Sequence, residues 1–70
     1  MSKKLVILRN ERFTYEVHIE AGDPPQRFVG GQSLDLERLK TELFQHGCPD
    51  ATVSKALGDV QNTGYTTVSL

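Results

Sequence analysis

Cys48 and His46 stand two residues apart, just ahead of a stretch with helical spacing. The dipole at a helix N-terminus favours a thiolate, and an imidazole is the base that a cysteine nucleophile uses. No third group stands at a spacing that would orient the ring, and the plainer reading is a turn cysteine half-covered by two helices. Were Cys48 exposed, it would also allow a disulfide between two subunits. His18 lies between Glu16 and Glu20 at alternate positions. A histidine flanked by carboxylates can hold a metal ion weakly or carry a proton, but alternate residues of one strand face are also plain neighbours in a solvated row. Glu16, Glu20 and Asp23 likewise make an acidic strand end, not a paired-carboxylate site. Gly30-Gly31 precedes a helix as phosphate-cradling glycines do, yet the further glycines and the lysine of such loops are missing. The pair reads as a turn. Cys48, His46 and His18 are too few for a closed zinc site without carboxylate help. With no triad, metal cluster or cofactor fingerprint, the chain reads as a non-enzyme that uses no metal and no cofactor. A substrate pocket would also be hard to carve from so thin a core.

The elements that position these groups follow from hydrophobic spacing. Residues 4–9 are a run of β-formers without polar alternation. From Arg12 to Glu20 the chain alternates, with Phe13, Tyr15, Val17 and Ile19 on one side and Thr14, Glu16, His18 and Glu20 on the other. A period of two marks a strand with one buried face. Asn10-Glu11 between the runs supplies a turn, so residues 4–20 form a β-hairpin. Gly22-Asp23-Pro24-Pro25 stops the second strand. Arg27-Phe28-Val29 reads as a short third strand ended by the two glycines. Ser33 or Asp35 caps a first helix whose apolar stripe is Leu36, Leu39 and Leu43, with Phe44 at the margin. Gly47 ends it, Asp50 caps a second helix with Val53, Ala56, Leu57 and Val60 on one face, and residues 65–70 form a last strand. The order β-β-(β)-α-α-β makes one small two-layer α+β domain over residues 1–70. An antiparallel sheet of three to four strands then carries both helices on one face.

Seventy residues with net charge −1 bury a thin core and exert no global pull on nucleic acid or anionic membranes. Cys48 is the only cysteine, so disulfides within the chain are excluded, and self-association is the stabiliser left to a domain of this size. The lone cysteine and the lack of a membrane-length apolar run point to the cytoplasm. In the first strand, Leu5 and Ile7 face one side while Val6 and Leu8 face the other. Both faces therefore want cover, from a loop or helix end or from a partner.

The residues from Gly47 to Gly58 are similar to the turn and second helix of lactose-repressor-type helix-turn-helix regulators. The likeness rests on the glycine and, after three residues, Ala51-Thr52-Val53-Ser54-Lys55-Ala56-Leu57. It implies that residues 51–57 are a recognition helix and that Thr52, Ser54 and Lys55 face DNA. The chain departs from that pattern at Leu43, where a small residue is usual, and at Glu42, where an apolar one is. Residues 35–60 also hold five carboxylates against three cations, the wrong sign for phosphate contacts. The leading expectation is therefore a small protein-protein interaction module: an accessory, inhibitor or modulator protein that binds another protein or itself as a homodimer. Val6, Leu8 and Phe44 are its expected interface. The alternative is a dimeric DNA-binding regulator.

Overall fold

The computed structural model describes residues 3–12 and 14–70. Its elements are β1 (Lys3–Arg9), β2 (Tyr15–Ala21), β3 (Gln26–Ser33), α1 (Leu36–Gln45), α2 (Asp50–Thr63) and β4 (Tyr65–Ser69). The strands form one antiparallel sheet in the order β3-β2-β1-β4. One core cluster joins Leu5, Ile7, Val17 and Val68 of the sheet to Leu39 and Leu43 of α1 and to Val53, Ala56 and Val60 of α2. Both helices thus cover the same face. Burying each large aliphatic side chain stabilises the fold by about 1.5–3 kcal/mol.

Register sorts the residues of β1 as the sequence implied. Leu5 lies opposite Ile19 and Val68, and Ile7 opposite Val17 and Thr66, on the helix-covered face. On the other face Val6 lies between His18 and Thr67, and Leu8 between Glu16 and Tyr65. The β1–β2 connection is longer than the expected two-residue turn. Arg9 pairs with Tyr15, and the Asn10 N–H donates to the Thr14 carbonyl at 2.9 Å. The Asn10 side-chain oxygen accepts from the Arg12 and Thr14 N–H groups at 3.0 and 3.2 Å, the local bonding that suits asparagine to turns. The strand therefore starts at Tyr15, not Arg12, and Phe13 lies outside the described residues.

The third strand is the main revision. It runs from Gln26 to Ser33, through the two glycines that were expected to end it. Val29 pairs with His18 and Gly31 with Val17, which leaves Gly30 as the extra residue of a β-bulge. A Cβ on Gly30 would lie 2.9 Å from the Ile19 side chain, so the glycine lets β3 stay against β2 here. Pro24 and Pro25 fall in the turn before β3, where no ladder bond is needed.

Asp35 caps α1, its carboxylate accepting from the Arg38 N–H at 2.9 Å. The second cap differs from expectation. Pro49 holds the N-cap position and its carbonyl accepts from the Val53 N–H at 2.9 Å. Asp50 is already inside the helix and makes no capping bond. Its charge still sits in the first turn, where the dipole favours it. Gly64, at φ +78°, closes α2 in the left-handed conformation. No helix among the described residues is long and apolar enough to cross a membrane.

Candidate functional site

The sheet has two edges, β3 and β4, and they differ. An edge strand leaves a row of N–H and C=O groups without strand partners, a template for another chain. Along β3 this row is flanked by side chains that are largely in solvent: Phe28 is 53% and Val29 64% exposed. The one charge on the strand, Arg27, is turned back onto β2, where its Nε donates to His18 Nδ1 at 3.3 Å. Natural edges are commonly blunted by charge, and here the charge is engaged elsewhere.

Beside β3 a cleft of about 380 Å³ opens toward α1, lined by Gln32, Ser33, Glu37, Arg38, Thr41, Glu42 and Gln45. Two local choices create it. Asp35 starts α1 two residues after β3, so the helix doubles back over the strand it has just left. Gly31 then lets α1 come close, because a Cβ there would meet a Glu42 carboxylate oxygen at 2.5 Å. The Glu42 side chain is only 24% exposed, and its carboxylate lies 3.5 Å from the His46 ring on the next turn. The cleft thus has a half-buried carboxylate in its wall, amide and hydroxyl groups around it, and the exposed Glu37 and Arg38. Among the described residues the Arg38 guanidinium makes no ion pair.

The expected interface residues do not share one surface. Val6 is 1% exposed, covered by its neighbours on the helix-free face, and Leu8 beside it is half-buried. Phe44 is 40% exposed on α1, in the helix layer on the other side of the sheet. Around Val6, a hydrogen-bonded row runs from Arg27 through His18 to Glu16, with His18 Nε2 and the Glu16 carboxylate 3.3 Å apart. Arginine only donates, so His18 Nδ1 is the acceptor of the Arg27 bond.

Cys48 is 4% exposed and packs in the core. Burial raises its thiol pKa above the ordinary 9.0, the opposite of the thiolate that a helix N-terminus would favour. Its backbone explains the placement: Gly47, at φ +89°, turns the chain inward and the Cys48 N–H donates to the Leu43 carbonyl at 3.2 Å. His46 points to Glu42 instead. The thiol is thus neither paired with a base nor open to a second subunit.

The residues of the DNA-binding alternative lie along α2. Thr52 and Lys55 border a shallow groove between α2 and β4, together with Asp59 and Thr66. The Lys55 ammonium lies 3.2 Å from the Asp59 carboxylate, and Ser54 is exposed. Among the described residues no cluster of three or more histidine, cysteine or acidic side chains converges on one point.

Comparison with known proteins adds no kinship. No protein-family model, curated protein or solved structure matches the chain. Sequence reasoning missed the β3–α1 cleft because its floor depends on Gly31 and Glu42 meeting across the fold. The signal that was present is a glycine pair inside a β-prone stretch, a mark of close backbone approach as well as of a turn.

Proposed function

We propose that the chain is a small interaction module that engages another protein chain along the open edge of β3. The observation that carries this reading is an eight-residue edge strand with Phe28 and Val29 more than half exposed and its own charge engaged with β2. Strand addition draws affinity from main-chain hydrogen bonds, so it needs no deep pocket. That suits a domain whose thin core leaves little room for one. Val29 lies opposite His18 on the helix-free face and Phe28 opposite Ile19 on the helix side, so an added strand would find an apolar side chain on each face.

Selection of binders from a random-peptide display library against the purified chain tests the reading, with amide chemical shifts locating the bound peptides. Binders are expected to perturb β3 and the neighbouring α1 residues. Perturbation centred on α2 or on β1 and β4 with β3 unmoved, or a selection that enriches nothing, would overturn it.

A further inference from the structure

Resting on that reading, we infer that the segment added to β3 is an extended peptide carrying a lysine or arginine side chain, and that this side chain enters the cleft to meet Glu42. The backbone of β3 selects an extended chain. Successive side chains of such a chain point to opposite faces, so alternate ones fall on the helix side, where the cleft lies. Gly30 and Gly31 carry no side chains to obstruct that approach.

The charge of the cleft selects the side chain. Its lining holds two carboxylates, Glu37 and Glu42, against one guanidinium, Arg38. The two signs are not placed alike. Arg38 and Glu37 are exposed, and charges in water gain little from a partner. Glu42 is three-quarters covered and touches one histidine, so an incoming cation would meet it where screening is weaker. Gln32, Thr41 and Gln45 supply oxygen acceptors for the remaining donors of an ammonium or guanidinium group. An acidic side chain would find only the exposed Arg38 and would have to approach Glu42 against like charge.

Fluorescein-labelled eight-residue peptides of alternating threonine and valine, with one central lysine, glutamate or glutamine, provide the probes. Anisotropy titration of the intact chain is expected to rank lysine first, about tenfold tighter than glutamate, the scale of one charge-assisted contact. In Glu42→Gln, a near-isosteric change, the lysine preference should vanish while the glutamine peptide binds as before. Glu37→Gln should keep most of the preference, and circular dichroism of both variants separates lost binding from lost fold. Equal binding of all three peptides on β3 would overturn the cleft assignment and leave strand addition standing. A lysine preference that survives in Glu42→Gln would overturn it too. If no probe binds, this inference fails, and the display selection decides separately whether β3 is the surface.

Discussion

Adjacent glycines in one strand have different tasks. At Gly30 an added Cβ meets the Ile19 side chain at 2.9 Å and the Val17 carbonyl at 3.2 Å, both inside the sheet. At Gly31 it meets the far end of the Glu42 side chain, which can swing aside. Gly30→Ala should therefore lower stability by about 1–3 kcal/mol, the usual cost of overpacking, and Gly31→Ala by less, as read from urea midpoints. Equal losses would mean that the two approaches are equally rigid. Cys48 gives a second prediction at this scale. Its folded-state pKa is raised above 9.0, so the unfolded chain releases the thiol proton first. This stability term is intact below pH 9.0 and is lost as pH rises toward the folded value. Cys48→Ala should lose less stability than the parent as pH rises above 9.0. Parallel declines would show that the buried thiol carries no such term. The sequence placed Cys48 beside a helix start, and that was correct. Whether the dipole or the core governs it depends on where Gly47 aims the chain, which no local pattern encodes.

At the scale of elements, the strands and helices with strong periodicity were legible. Tyr15, Val17 and Ile19 alternate because β2 has one covered face, and Leu39 and Leu43 recur because α1 has one buried stripe. β3 was only half legible, since Phe28-Val29 signals a strand and Gly30-Gly31 signals its end. The pairing with β2 overrides the weak propensity of glycine, and the bulge absorbs the mismatch. The start of α1 is a single-residue matter. Asp35→Ala removes the acceptor for the Arg38 N–H and should cost about 1 kcal/mol. A smaller urea-midpoint change than that of an exposed surface alanine substitution would deny the cap its role. Because α1 forms one wall of the cleft, a frayed first turn should also weaken any ligand held there.

For the whole molecule, charge decides between broad classes of partner. A net charge of −1, with Lys55 held by Asp59, gives duplex DNA little to bind. A fluorescence titration at low salt is expected to show no association. Association that weakens steeply with added salt would signal true phosphate contacts and restore α2 as the reader of DNA. The two-layer architecture was legible in the order of elements, because helices following an antiparallel run have one economical place to pack. The candidate site was not, for it is made by elements meeting: a strand edge, a helix returning over it, and a glycine where they touch.

The sheet order also has a kinetic consequence. β1 lies at the centre of the sheet, yet its second neighbour, β4, comes last of all the elements, so Lys4 waits to pair with Ser69. The hairpins β1–β2 and β2–β3 close over short loops and can form early. Until β4 arrives, Leu5 and Ile7 sit beside a second open edge, next to an apolar face that α2 has yet to cover. Closing that long loop is the slow event in such a topology. A nascent or truncated chain lacking β4 is thus a sticky, three-stranded species, and its exposure to aggregation ends only when the last strand docks.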